Sequence, residues 1–284
     1  MGPASCSRAT RIFVPAGTEK PAIGVGAGNG PAYIHRGADV RRALADIARS
    51  KTFDFGTVCA SEQSIIVERS MEAQVVEEAK RQGYYFLSGE EAGKLAKILF
   101  RPNGALNPEV VGKPAAKLAQ LAGFSVPSGT KILVAREREA GIGYPYSMEK
   151  LCPVLAFYVM DNEEEILRKC VEILDFEGAG HTYVIHAEDE EVIRKFAEKI
   201  PVSRFLANTP AALGGIGATT GLFPALTLGC GAVGGSSSSN NISPLDLINI
   251  RRVAWGTEEP KKKEIHSPEL VELLAQKILE RLEH

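Results

Sequence analysis

The sequence has little of what marks several large protein classes. Its 284 residues include five cysteines without C-x-x-C spacing, which argues against a disulfide framework and against a zinc site. It has no apolar run long enough for a membrane span and no signal-peptide core at the N-terminus. The net charge is −2 and the basic residues are dispersed, which argues against nucleic-acid binding. We therefore expect a cytoplasmic protein with no metal, no membrane and no nucleic acid among its partners.

What the sequence does have is an alternation of short apolar runs and amphipathic segments. Hydrophobic residues make up 44% of the chain and charged residues 24%, an ordinary globular composition. Strands are predicted at 21–26, 64–68, 131–135, 153–160, 182–186, 204–207 and 246–253. Helices are predicted at 38–49, 72–82, 89–99, 162–174 and 189–200, with a last helix starting at Ser267. This alternation predicts an α/β fold with a mainly parallel sheet.

Cys59 lies in a context that is unusual for a structural cysteine. It follows a glycine-bearing turn, and a small polar run separates it from the predicted strand 64–68. A nucleophilic cysteine needs small neighbours, room for a substrate and backbone N–H groups near its sulfur. The pattern alone leaves two interpretations open, a half-buried core cysteine and a nucleophile.

Several longer stretches carry a family resemblance. They include KPAIGVGAGN at 20–29, VCASEQS at 58–64, EKLCP at 149–153, GHT at 180–182 and LTLGCG at 226–231. Over about residues 20–255 the chain resembles the C-terminal part of the acylating, coenzyme-A-dependent aldehyde dehydrogenases, of the acetaldehyde dehydrogenase (acetylating) type. The resemblance implies an aldehyde-dehydrogenase-like catalytic domain from which most of the cofactor domain is absent.

The resemblance also implies a domain organisation. Residues 1–30 would be the residual end of the cofactor domain, 31–243 the catalytic α/β domain, and 244–284 an oligomerisation strand and C-terminal helix. In the family such a strand, here around 247–250, pairs with a sheet of a neighbouring subunit. We therefore expect a homo-oligomer, or a partner chain that supplies the cofactor domain. Family membership also allows a location in a bacterial microcompartment.

The chemistry implied by the resemblance is oxidation of a small aldehyde by NAD(P)+ with coenzyme A as acyl acceptor. Cys59 would attack the aldehyde carbonyl and carry the acyl group as a thioester. His181 matches a family histidine and would act as an acid–base or electrostatic helper. An alternative is a catalytically inactive assembly module that joins full-length subunits, and we expect the isolated chain to be weak or inactive.

Further residues take roles by the same resemblance. Glu149 would accept hydrogen bonds from the nicotinamide ribose, and the sequence context favours this role over a surface pair with Lys150. Gly26 belongs to the glycine-rich segment expected beside the cofactor. The acyl-pocket wall is expected to contain Thr227, Leu228 and Cys230.

Val25 distinguishes between two acyl acceptors. It lies 34 residues before Cys59, where hydrolytic aldehyde dehydrogenases carry a water-activating glutamate. Because valine cannot be a general base, the sequence favours coenzyme A over water as the group that removes the acyl chain.

Overall fold

The computed structural model describes residues 23–256 together with Glu272 and Gln276. The strands are β1 (Pro31–Ile34), β2 (Ser64–Glu68), β3 (Tyr84–Phe86), β4 (Ile132–Arg136), β5 (Val154–Met160), β6 (Gly180–His186) and β7 (Val202–Ala207). The α-helices are α1 (Val40–Thr52), α2 (Glu72–Arg81), α3 (Gly89–Leu99), α4 (Ala115–Leu121), α5 (Glu163–Phe176), α6 (Glu190–Ala197) and α7 (Ala211–Gly215). Short 3₁₀ turns lie at Phe53–Gly56, Arg69–Met71, Pro145–Ser147 and Pro244–Leu247.

The seven strands form one sheet in the order β3-β4-β5-β2-β1-β6-β7, and every pairing is parallel. The predicted α/β class and parallel sheet are therefore confirmed. Two apolar clusters cover the two faces, as is usual where helices pack on both sides of a parallel sheet. In β5 the alternation is direct, because Val154, Ala156 and Tyr158 belong to one cluster while Leu155 and Phe157 belong to the other.

Helix starts follow from side-chain caps. Asp39 accepts a hydrogen bond from the backbone N–H of Arg42 at the start of α1. Ser88 and Glu91 form a reciprocal capping box at the start of α3. None of the helices in the described part of the chain is long and apolar enough to cross a membrane.

The N-terminal segment differs from the prediction. The strand expected at 21–26 is absent over the residues that can be described there, and 23–30 has no regular structure. The first strand begins instead at Pro31, directly after the glycine-rich segment. The reason is that backbone N–H groups of this segment donate to side chains, Gly26 to Cys230 and Gly28 to Glu149, and not to a neighbouring strand.

The predicted strand 246–253 is also absent. Residues 244–247 form a 3₁₀ turn, and 248–256 have no regular structure. No strand of the described sheet lies beside this segment, and an unpaired strand would leave its backbone groups without partners. Leu247, Ile250 and Trp255 are exposed. The predicted C-terminal helix lies outside the described residues, apart from Glu272 and Gln276, which are helical.

Candidate active site

The predicted site residues lie near one edge of the sheet. Because all strands are parallel, the segments that enter them meet at the same edge, which we call the amino edge. Gly28 precedes β1, Cys59 precedes β2 and Glu149 precedes β5, while His181 is the second residue of β6. The fold thus gathers residues that are up to 153 positions apart in the sequence.

Gly28 lies in close contact with the Cys59 backbone. A Cβ atom added at Gly28 would lie 1.8 Å from the Cys59 carbonyl oxygen and 3.1 Å from the Cys59 Cβ. The Gly28 N–H donates to Glu149 Oε1 at 2.9 Å. Only glycine permits this approach. The glycine-rich segment therefore connects the loop that carries Cys59 to the Glu149 carboxyl, for which the family resemblance predicts binding of the nicotinamide ribose.

Cys59 is half-buried and is a protonated thiol at neutral pH. Burial, and next the nearby Glu149 carboxylate, raise the pKa of the thiol to about 11, against the opposing effect of Arg204. A thiolate is the reactive form of cysteine. In this structure Cys59 is therefore held in a resting form that must lose its proton before it can attack a carbonyl.

Glu149 does not form the surface pair with Lys150 that the dipeptide suggests. Lys150 is fully buried, and its Nζ donates to the backbone oxygens of Tyr146 and Met148 at 2.7 and 2.6 Å. Burial raises the pKa of the Glu149 carboxyl to about 7, and Glu177 adds to the shift. The Glu149 carboxyl is instead directed at the glycine-rich segment.

His181 is fully buried and neutral. Its Nδ1 lies 2.9 Å from Thr182 Oγ1, and its Nε2 has no hydrogen-bond partner among the described residues. Burial, followed by the positive charge of Arg204, lowers the pKa of the imidazole to about 3. An imidazole this weakly basic is a poor proton acceptor for a thiol, so burial disfavours the acid–base part of the predicted role.

The glycine- and serine-rich loop after α7 closes over the same edge. Gly229 N–H donates to Asn240 O and Gly231 N–H to Ser238 O, both at 2.9 Å, so the loop folds back on itself. Among the three predicted pocket residues, Leu228 and Cys230 are buried and Thr227 is exposed. The Gly26 N–H lies 3.4 Å from Cys230 Sγ. Gly26 also lines a surface cleft of about 270 Å³, together with residues 232–235 of this loop.

Sequence reasoning missed a buried polar cluster behind Cys59. Gln63 Oε1 accepts from Lys51 Nζ and from the backbone N–H of Lys150, each at 3.1 Å. Glu62 Oε1 accepts from the Ala211 N–H at 2.9 Å, and burial raises the pKa of this carboxyl to about 7. Burial lowers the pKa of Lys51 to about 8. The available signal was the polar run Ser61–Ser64, which leads directly into an apolar strand.

At the opposite edge, three side chains have metal-ligand spacing. Ligand atoms of His35, Glu68 and Glu163 lie within 4.8 Å of one another. However, the Gly37 N–H donates to His35 Nδ1, which leaves the proton on Nε2, the atom 3.6 Å from Glu163 Oε1. Arg36 and Lys195 supply the counter-charge, so we assign an ion-pair network and no metal.

Comparison with known proteins identifies relatives of one kind. A scan against models of protein families found no match. The aldehyde-alcohol dehydrogenase of Streptococcus pneumoniae is 41% identical over 243 residues, which cover 82% of this chain and 28% of that protein. The crystal structure of an acetylating aldehyde dehydrogenase from Geobacillus thermoglucosidasius is 48% identical, with a TM-score of 0.82 over 86% of this chain and 54% of that chain.

A second solved structure contains ligands. It is a Rhodopseudomonas palustris propionaldehyde dehydrogenase with bound coenzyme A and an acylated cysteine, 25% identical, with a TM-score of 0.67 over 74% of this chain and 47% of that chain. The present chain therefore spans between about a quarter and about half the length of these relatives. The chain is homologous to one part of the acetylating, coenzyme-A-dependent aldehyde dehydrogenases.

Proposed function

We propose that this chain is the acyl-carrying portion of an enzyme that converts an aldehyde to acyl-coenzyme A with NAD(P)+. Cys59 attacks the aldehyde carbon and later carries the acyl group as a thioester. The observation that carries the proposal is the contact of Gly28 with Cys59 on one side and with Glu149 on the other. This contact joins the predicted nucleophile to the predicted ribose ligand.

Coenzyme A is the proposed acyl acceptor because the segment beside Cys59 offers no carboxylate to activate water. Val25 occupies the position of the hydrolytic glutamate, and its side chain is partly exposed. Glu149 is engaged with the Gly28 N–H and does not take that position. An acyl thioester here would persist until a thiol arrives, which agrees with the acylated cysteine in the R. palustris relative.

The described residues fit part of a nicotinamide site. Glu149 has a largely buried carboxyl that already accepts an N–H donor, which suits a pair of ribose hydroxyls. NAD(P)+, when bound, accepts the hydride of the aldehyde. Glu149 and the backbone of Gly26–Gly28 would hold the ribose end, and no described residues form a glycine-rich helix start for the diphosphate. A cofactor domain elsewhere in the full assembly is therefore part of the proposal.

The test uses the half-reaction that needs no nicotinamide. The chain is incubated with acetyl-coenzyme A, and its mass is measured intact and after proteolysis. We expect one acetyl group on Cys59, removable by free coenzyme A. Cys170→Ser, which changes a fully buried thiol outside the site, is the matched control and should acetylate as the unmodified chain does.

Two results would count against the proposal. Acetylation that persists in Cys59→Ser would place the reactive group elsewhere. A chain that binds a full-length relative but never acquires an acetyl group at Cys59 would favour the alternative, a non-catalytic assembly module.

A further inference from the structure

Arg204 is a buried cation that the proposed mechanism does not use. It lies on β7 and is 2% exposed. No carboxylate bonds to it among the described residues. A buried charge without an ion-pair partner is costly, and proteins retain one where its hydrogen bonds organise something else.

The hydrogen bonds of Arg204 reach two elements of the amino edge. The sheet register places Arg204 directly beside Thr182 on β6, and Nε donates to Thr182 Oγ1 at 3.3 Å. The two terminal nitrogens donate to the backbone oxygens of Ser239 and Gly229, on the two arms of the folded-back loop. One guanidinium thus fastens this loop to the strand that carries His181.

The same contacts favour one position for the proton on the His181 ring. Arginine can only donate, so Thr182 Oγ1 accepts from Arg204 and keeps its own hydroxyl proton for another acceptor. Within the described residues, the remaining polar contact of Thr182 Oγ1 is His181 Nδ1 at 2.9 Å. The hydroxyl oxygen could accept a second time, but its proton would then have no acceptor among the described residues. Donation from the hydroxyl to Nδ1 satisfies more groups, and the imidazole proton then lies on Nε2.

We infer that Arg204 and Thr182 are positioning residues that hold His181 as the Nε2-protonated neutral tautomer, so that His181 serves acyl transfer as a hydrogen-bond donor and not as a base. This inference deepens the proposed function and rests on it for the acyl-transfer role. Among residues 23–256 the buried Nε2 has no hydrogen-bond partner, so its N–H is available to an oxygen that becomes negative during the reaction.

The step that this donor would serve is transfer of the acyl group from Cys59 to coenzyme A. The coenzyme A thiol gives its proton to solvent, and its sulfur forms a bond to the acyl carbon while the carbonyl electron pair moves onto oxygen. The carbonyl re-forms, the bond to Cys59 Sγ breaks, and the sulfur leaves with the electron pair and takes a proton from solvent. The Nε2–H stabilises the intermediate oxyanion.

The tautomer is measured directly by long-range nitrogen–proton NMR on the full chain with isotopically labelled histidine. His181→Gln identifies the signal. We expect a neutral ring with its proton on Nε2 throughout the range from about pH 5 to 8. A ring protonated on Nδ1 in the unmodified chain, or one that becomes an imidazolium within this range, would overturn the inference.

Two variants separate positioning from folding. Thr182→Val removes the hydroxyl at nearly constant volume, and the Nε2-protonated fraction should fall. Thr182→Ser retains the hydroxyl and should restore it. Acyl transfer from acetylated Cys59 to coenzyme A should slow about 10-fold in Thr182→Val, the loss expected for one hydrogen bond, and recover in Thr182→Ser.

The two proposals fail in different ways. The NMR measurement needs no substrate. If Cys59 is not acetylated but His181 is protonated on Nε2, the proposed function is wrong and the tautomer assignment is still correct. Normal acetylation and transfer in Thr182→Val, with the tautomer changed, would show that the donor role is wrong.

Discussion

The amino edge of the sheet carries Cys59, Glu62, Glu149 and His181, whereas the carboxyl edge carries His35, Glu68 and Glu163. Glu163 at the carboxyl edge pairs with Arg36 and Lys195, both of which reach solvent. At the amino edge Glu62 and His181 are fully buried and Cys59 and Glu149 are half-buried, and their neighbours are mainly backbone groups and other buried side chains. The same residue types are therefore paired with partly exposed cations at one edge and surrounded by backbone groups and buried side chains at the other.

Unpartnered polar atoms follow the same division. Of the seven buried side-chain nitrogens and oxygens without a partner in the described residues, five lie at the amino edge, on Ser61, Glu62, Gln63, Ser64 and His181. The other two, on His35 and His186, lie at the carboxyl edge. Ligands of open α/β sheets usually bind at the carboxyl edge. Here most of the buried polar atoms without a partner lie at the opposite edge, which indicates a binding site there. The side chains present at an edge are therefore a better guide to the site than the topology of the sheet.

The largest expected loss of stability comes from replacing Gly28 at the amino edge, and Gly37 at the carboxyl edge is its control. Gly28→Ala would place a Cβ 1.8 Å from the Cys59 carbonyl oxygen, so the backbone must shift, at a cost of about 3 kcal/mol in unfolding free energy. Gly37→Ala at the carboxyl edge would place its Cβ 3.4 Å from His35 Nδ1 and should cost under about 1 kcal/mol. Urea denaturation measures both. Equal losses of unfolding free energy in the two variants would show that Gly28 is not in close contact with the Cys59 backbone.

A smaller effect is expected from Glu62→Gln. The carboxyl has an ordinary value of 4.5 and a folded pKa of about 7, so its contribution to stability is complete below 4.5 and is lost as pH rises through 7. Glutamine keeps the acceptor for the Ala211 N–H and cannot ionise. The variant should therefore match the unmodified chain near pH 4.5 and exceed its unfolding free energy by about 1–3 kcal/mol at pH 8.

Denaturation midpoints at the two pH values check this expectation. A variant that is less stable than the unmodified chain at pH 8 would show that the Glu62 charge is compensated by Lys51 to a greater degree than burial penalises it.

The fold could be predicted from the sequence because its elements are locally consistent. Helix α3 has a Ser88 cap and an amphipathic face, and β5 is an apolar run, so each is specified within its own residues. Strand β1 has only four residues and follows a segment with glycine at positions 24, 26, 28 and 30, which gives no apolar pattern for a strand. It forms because β2 and β6 lie on both sides of it, which no local pattern reveals.

The candidate site divides in the same way. Cys59 and Glu149 could be singled out because each lies in a run of residues that resembles a known family. Arg204 could not, since an arginine in a predicted strand ordinarily lies at the surface, and its burial depends on the return of a loop 25 to 35 residues later. The tautomer of His181 depends in turn on Arg204, so it also required the three-dimensional structure.

The smallest effect, with the opposite sign, is expected from Glu163→Gln at the carboxyl edge. The hydrogen bond from Lys195, with the charges of Lys195 and Arg36, lowers the folded pKa of this carboxyl below its ordinary 4.5. Its contribution to stability is therefore present above 4.5 and is lost as pH falls through the folded pKa. Because its cations are partly exposed, the variant should lose only about 0.5–1 kcal/mol at pH 7. Denaturation in high salt should reduce this loss, and a loss that salt leaves unchanged would mean that the carboxyl-edge network is as enclosed as the amino edge.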